Sequence, residues 1–158
     1  MEAAAGVIRA LGQEDAAEAV RVIHAAFAAQ GVVTDPPSGA LRETAASVGD
    51  AIAAGGGFGA EAGAGLVGVV LWVEQPGALY LGRLAVVPAA RGRSVGRGLV
   101  DAVEALARRR GLAKVTLGAR LVLTSNRAFF AACGYREAGF ETHAGYAAPT
   151  SVRMERML

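Results

Sequence analysis

Apolar positions along the chain change period several times, and each change marks an element. Gly6-Val7-Ile8-Arg9-Ala10-Leu11 reads as a short strand, and the acids of Gln13-Glu14-Asp15 suit the helix start that follows. Ala16, Val20, Ile23 and Phe27 form the stripe of an amphipathic helix, which Gly31 ends. Thr34 to Gly39 is a loop by composition, and Leu41 to Ala54 reads as a second helix. Gly55-Gly56-Gly57 reads as a turn. Phe58 to Glu61 and Leu66 to Glu74 predict an antiparallel hairpin around an Ala-Gly turn. The strongest strand signal is Leu79 to Val87, stopped by Pro88, which has no N–H to give a ladder. A Gly- and Arg-rich loop, Ala89 to Val95, leads into a helix with Leu99, Val103, Leu106 and Ala107 on one face. Arg108-Arg109-Arg110-Gly111 supplies the cations and the glycine expected at its C-terminus. Lys114 to Leu117 reads as a strand, and Ser125 or Asn126 opens a short helix through Phe129 and Phe130. Gly134-Tyr135 leads into another strand, and a loop with His143 and Tyr146 precedes the last one, Ser151 to Met157. The order β-α-α-β-β-β-α-β-α-β-β predicts an α+β fold around one mixed sheet.

The chain has 158 residues, the size of a single domain, with 53% apolar and 19% charged residues, enough for a real core. The net charge of +2 is too small for a general nucleic-acid coat. Its distribution is uneven: residues 1–78 hold three Arg and nine acids, and residues 79–158 hold twelve Arg, one Lys and five acids. An anion would therefore bind in the second half. The single cysteine, Cys133, excludes an intrachain disulfide and a multi-cysteine zinc site, reads as a small core residue, and fits a reducing, cytoplasmic setting. The N-terminus carries Glu2, Glu14, Asp15 and Glu18 and resembles no signal peptide. The longest charge-free apolar run, Ala62 to Val73, falls short of the ~20 residues a membrane helix needs. A soluble protein with neither membrane nor nucleic-acid partner and no metal is expected. His24, beside the apolar face of the first helix, reads as structural.

The candidate chemistry centres on Leu84 to Leu99, where a buried strand runs into a Gly-rich turn that opens a helix. First-turn N–H groups have no partners within a helix, and with the dipole they make an anion site. Gly92 and Gly96 let backbone approach the anion, and Arg91, Arg93 and Arg97 supply charge at its rim. No Gly-x-x-x-x-Gly-Lys-Ser/Thr loop exists, and Gly55-x-Gly57-x-x-Ala60 lacks the strand-to-helix setting of a dinucleotide fingerprint.

Arg83 to Leu99 resembles motif A of the GNAT superfamily of acyl-CoA N-acyltransferases: a strand ending in a Leu-x-Val-x-Pro-like run, then Arg/Gln-x-x-Gly-x-Gly/Ala, then a helix. Anchored on Pro88, the motif is Arg91-Gly92-Arg93-Ser94-Val95-Gly96, with Ser94 where the family usually has Gly. A register two residues later, Arg93 to Gly98, matches fully but sits too far from Pro88. Ser125-Asn126-Arg127-Ala128-Phe129-Phe130 followed by Gly134-Tyr135 is similar to a second segment of the family. The resemblance implies a mixed central sheet with splayed strands and helices on both faces. It implies acetyl-CoA as co-substrate, with pantetheine against Val86 and Val87 and pyrophosphate in the loop Arg91, Gly92, Arg93, Ser94, Val95, Gly96 and Arg97. Asn126, Phe129 and Phe130 would flank the pantetheine arm. A homodimer is an assembly the resemblance allows.

Transfer to an amine needs a proton acceptor, stabilisation of the thioester oxygen, for which a backbone N–H near Val86 or Val87 is suited, and a proton for the leaving thiolate. The family's usual tyrosine falls at Phe130 and its frequent strand carboxylate at Gly82, so both are absent. Tyr80, His143 and Tyr146 are the candidate replacements. Asp35, Glu43, Glu61 and Glu74 would suit a cationic small-molecule or peptide amine. Two other readings compete: a catalytically silent acyl-CoA-binding module, and a serine hydrolase built on Gly92-Arg93-Ser94-Val95-Gly96 with His143 and Asp101 or Glu141.

Overall fold

The computed structural model describes residues 6–63 and 65–158. Glu2, and Ala64 in the expected hairpin turn, lie outside the described residues. The elements are β1 (Val7–Ala10), α1 (Ala16–Ala28), α2 (Ala45–Ala54), β2 (Gly56–Ala62), β3 (Gly65–Gln75), β4 (Ala78–Val86), α3 (Val95–Arg109), β5 (Lys114–Arg120), α4 (Thr124–Ala132), β6 (Arg136–Glu141) and β7 (Ser151–Met157). Their order matches the sequence expectation. They form one sheet, β1-β2-β3-β4-β5-β7-β6, antiparallel except at β4–β5.

Period-two alternation on β3 divides the core. Val69 and Leu71 pack with α1 and α2 on one face, while Val70 and Trp72 join the cluster under α3 and α4 on the other. Helices thus cover both faces. Three boundaries differ from expectation. The second helix begins at Ala45, because the Thr44 hydroxyl accepts from Ser47 N–H at 3.0 Å while the Ser47 side chain returns the bond; Gly39–Arg42 is a separate 3-10 turn. β2 begins at Gly56, inside the expected turn, because neighbouring side chains fill the space above its glycines. A Cβ on Gly56 would lie 2.2 Å from the Trp72 ring, and one on Gly59 2.7 Å from Leu11. β5 continues past Gly118 to Arg120, paired throughout with β7.

The feature that positions the site is a split in the sheet. β4 and β5 pair only over Ala78–Tyr80 and Lys114–Thr116. Beyond Tyr80, β4 stays with β3 while β5 stays with β7, and the two diverge. A bulge on β4 sharpens the divergence: Val69 opposes Ala85 but Leu71 opposes Gly82, and the inserted turn of backbone places Arg83 at φ +50°.

One buried polar network ties α3 to the far half of the sheet. Glu104, 2% exposed, accepts from the Tyr135 hydroxyl at 2.8 Å and from Arg156 at 2.8 Å. Burial, then the bond to Glu104, pushes the Tyr135 pKa well above the tyrosine value of ~10. A raised folded-state pKa contributes stability that is complete below the unfolded value and is lost as pH climbs toward the folded one. Unfolding free energy is therefore expected to fall above about pH 10, with a smaller slope in Tyr135→Phe. Equal slopes in urea titrations of the two proteins would contradict this.

Candidate active site

The backbone at the end of β4 decides what the split can hold. Val87 N–H donates to Val67 O at 2.9 Å, so the adjacent Gly68–Val86 pair is a non-hydrogen-bonded one. The Val86 N–H and C=O consequently face away from β3, into the split. Val87 is the reverse: its N–H is consumed by the sheet, and it packs under α1 and α2, which removes it from the expected contacts.

After β4 the chain makes a 3-10 turn at Pro88–Ala90 and enters α3 through left-handed backbone at Gly92 (φ +78°) and Ser94 (φ +61°). Ser94 makes no side-chain cap, so the first N–H groups of this fifteen-residue helix have no side-chain partner. They open on a cleft of about 670 Å³ between the C-terminus of α1, the end of β4 and the starts of α3 and α4. Val86, Arg91, Gly92, Ser94, Val95, Gly96, Arg97, Asn126 and Phe129 all line it. Gly96 lies against the aromatic wall, where a Cβ would come within 3.3 Å of Phe129. Gly98, the last residue of the later register, faces Ile8 instead of the cleft. The geometry favours the register anchored on Pro88.

Two further residues of the expected set do not line this cleft. Arg93 is exposed and does not line the cleft. Phe130 is absent from this cleft; it packs beneath α4, edge-on to Phe129 and Tyr135, and lines a second cavity next to it. Arg91 and Arg97 reach the cleft, but each also binds a backbone carbonyl: Arg91 donates to Ala26 O at 3.2 Å and Arg97 to Ala132 O at 3.3 Å. They brace the cleft walls as well as charging its rim.

A second cavity, about 560 Å³, lies deeper along the split and shares Phe27, Leu84 and Asn126 with the first. Its walls include Tyr80, Gly82, Arg83, Gly118, Trp72 and Glu43. Tyr80 sits at the vertex, in the last β4–β5 pair. Its ring passes over Gly82, 3.7 Å from where a Cβ would stand, and its oxygen comes within 3.3 Å of a Cβ position on Gly118. The two glycines make room for that ring. Burial, then the charge of Glu141, raises the Tyr80 pKa, so the hydroxyl keeps its proton near neutrality.

His143 and Tyr146 line neither cavity. His143 Nδ1 is bonded to Thr150 Oγ1, and the Tyr146 hydroxyl to Asp35, pinning the β6–β7 loop onto the α1–α2 loop. Both therefore read as loop-fixing side chains. The Ser94 hydrolase constellation is not assembled: His143 is held by Thr150, Asp101 pairs with Arg97, and a 3-10 turn separates Ser94 from its strand. His24 is structural, its Nε2 bonded to Glu43 O at 2.8 Å, and Cys133 is a buried core thiol.

Sequence reading missed the cavity positions of Phe27 and Arg83, and named Glu43 without its bond to Arg83. Phe27 was expected to be core and instead lines both cavities. Arg83 carried a usable signal, a charge inside the most apolar strand. Each acid named for a cationic acceptor already has a partner: Asp35 is bonded to Tyr146, Glu43 to Arg83, Glu61 to Arg9 and Glu74 to Arg110.

No helix among the described residues is long and apolar enough to cross a membrane. No curated protein sequence matches the chain. Among solved structures, Ard1 from Thermoplasma volcanium superposes with a TM-score of 0.80 at 18% identity, covering 98% of each chain. The PaiA N-acetyltransferase from Thermoplasma acidophilum, in complex with coenzyme A, gives 0.78 at 18%, covering 96% of this chain and 98% of that one. The ribosomal-protein-S18-alanine N-acetyltransferase from Escherichia coli gives 0.77 at 16%, covering 96% and 92%. These identities speak to the fold. Residues 22–135 match the Acetyltransferase (GNAT) family, and with the split mixed sheet in place the chain belongs to that family.

Proposed function

We propose that this chain transfers an acetyl group from acetyl-CoA to a primary amine. The observation that carries the reading is the Val86 backbone turned into the split beside the uncapped N-terminus of α3. The α3 N-terminus suits the pyrophosphate, since helix dipoles place about half a positive charge there. The Val86 backbone suits the amide-bearing arm, and Phe129 and Asn126 flank it. The coenzyme A held by the Thermoplasma acidophilum relative supports the same ligand class.

Acetyl-CoA supplies the acetyl group as an activated thioester. The chain's own residues then divide the work between the two cavities. The first holds the anionic and amide portions. The second, at the vertex of the split, receives the amine. Attack forms the C–N bond and breaks the C–S bond; the amine proton leaves to water, and the sulfur takes one from the Tyr80 hydroxyl, which solvent replenishes. The raised Tyr80 pKa suits a donor and not a base. Tyr80→Phe is expected to lower kcat by roughly 10²-fold, the low end for loss of a general acid, with acetyl-CoA affinity unchanged. Unaltered kcat would remove Tyr80 from the chemistry. Phe130 and Gly82, where the family's two usual side chains are missing, favour a binding-only module as the second reading. Acetyl-CoA binding with no turnover over a broad amine panel would establish it.

A further inference from the structure

The second cavity holds more information than the transfer reading uses. Among the described residues, two non-glycine residues have left-handed backbone, Ser94 and Arg83. One stands at each cavity. Such backbone is strained in a residue with a Cβ and persists where the surroundings hold it.

At Arg83 the surroundings can be named. Glu43 Oε2 accepts from Arg83 Nε at 3.3 Å, while Glu43 Oε1 accepts from the Ser47 hydroxyl at 3.0 Å. His24 holds the Glu43 carbonyl from α1. Glu43 thus grips the inner nitrogen of the guanidinium and has both oxygens engaged. The two outer nitrogens of Arg83 have no protein hydrogen-bond partner among the described residues, and they form the edge of the fork that matches an oxyacid.

Several guanidinium groups gather around this edge. Arg83 and Arg42 flank Gly39, whose Cβ position lies 3.1 Å from one guanidinium and 3.6 Å from the other. Arg120 approaches the same loop and donates to the Pro36 carbonyl at 2.6 Å. Three arginines therefore converge where Glu43 is bonded to Arg83 and Asp35 to Tyr146. Glu141, the remaining nearby acid, lies 4.0 Å from Arg153. The mutual repulsion of such a group is relieved by an incoming anion.

We propose that the acceptor amine carries an anionic oxyacid group, a carboxylate or a phosphate-type group, that docks on the outer nitrogens of Arg83 in the second cavity. This rests on the acetyltransferase reading for the word acceptor; the anion site itself does not.

The test titrates the protein by calorimetry, in the presence of coenzyme A, with glycine and phenylalanine, their methyl esters, their phosphonate analogues, phenethylamine and spermidine. Turnover with acetyl-CoA is measured on the same panel. Carboxylate or phosphonate members are expected to bind and react at least tenfold better than their esters. Arg83→Gln is expected to erase that advantage, and Arg83→Lys to retain part of it. Carboxylate and phosphonate arms separate the two sources of the anion. Equal or better use of the esters, phenethylamine or spermidine overturns the proposal. So does a panel in which no anionic member either binds or reacts. The wild-type comparison of acid with ester stands even where a variant fails to fold. Should calorimetry find no acetyl-CoA binding while anions still bind through Arg83, the transfer reading fails and the anion site survives.

Discussion

A glutamate in place of Gly96 is expected to lower acetyl-CoA affinity by about 10²–10³-fold while leaving the fold intact. Gly96 sits in the first turn of α3, where the helix offers its unpartnered N–H groups to the cleft. Any side chain there meets Phe129, which a Cβ would approach to 3.3 Å. A carboxylate adds repulsion against the pyrophosphate and competes for the same N–H groups. Charge-assisted hydrogen bonds contribute ~1.5–3 kcal/mol each. Loss of two is ~3–6 kcal/mol, and each ~1.4 kcal/mol is a factor of ten, so the stated range is a conservative one. An acid in the first turn favours the helix dipole, so the melting temperature should hold. Gly96→Ala separates the two causes, since it adds the Cβ without the charge and needs Phe129 to yield only a few tenths of an ångström. Its loss should be small. Equal affinities for Gly96→Glu and wild type, by calorimetry, would place the anion elsewhere.

The largest loss of stability is expected from Arg156→Met. Glu104 is a fully desolvated carboxylate on α3, and Arg156 on β7 is its charge partner at 2.8 Å. Removing one side of a buried pair typically costs ~3–5 kcal/mol, because the other charge stays buried without compensation. Arg156 is itself about a third exposed, with 32% of its side chain accessible, and Tyr135 still donates to Glu104. Both place the cost near ~3 kcal/mol. For a chain of this length that is a drop of roughly 6–12 °C in Tm. The double variant Glu104→Gln/Arg156→Met removes the orphaned charge and keeps an acceptor for Tyr135, so it should recover much of the loss. A Tm for Arg156→Met within about 2 °C of wild type would mean that the network does not secure α3.

The sequence made the element order and the strand-turn-helix of the first cavity legible because both depend on local signals. Period-two and helical stripes mark the elements, and Pro88, Gly92 and Gly96 punctuate one short stretch. Contacts distant in the chain were not legible. Gly56 read as a turn residue because nothing local says that Trp72 occupies the space above it. Gly118 read as a strand end, though it is the clearance for the Tyr80 hydroxyl. Tyr146 and Asp35 are 111 positions apart, and their bond turns a candidate catalytic residue into a clasp between loops. Val87 was misread for a finer reason: the alternation of N–H direction along β4 depends on its register with Val67 on β3. Arg83 is the instructive case, because its charge was visible in the sequence but its use depends on a bulge that only pairing with β3 reveals.

The most direct test is calorimetric titration of the wild-type protein with acetyl-CoA, coenzyme A and dephospho-coenzyme A. One-to-one binding with a Kd on the order of micromolar (about −8 kcal/mol), retained for coenzyme A, is the result expected of a cleft built from the α3 N-terminus and the Val86 backbone. No heat of binding with any of the three would contradict the assignment of that cleft to acyl-CoA.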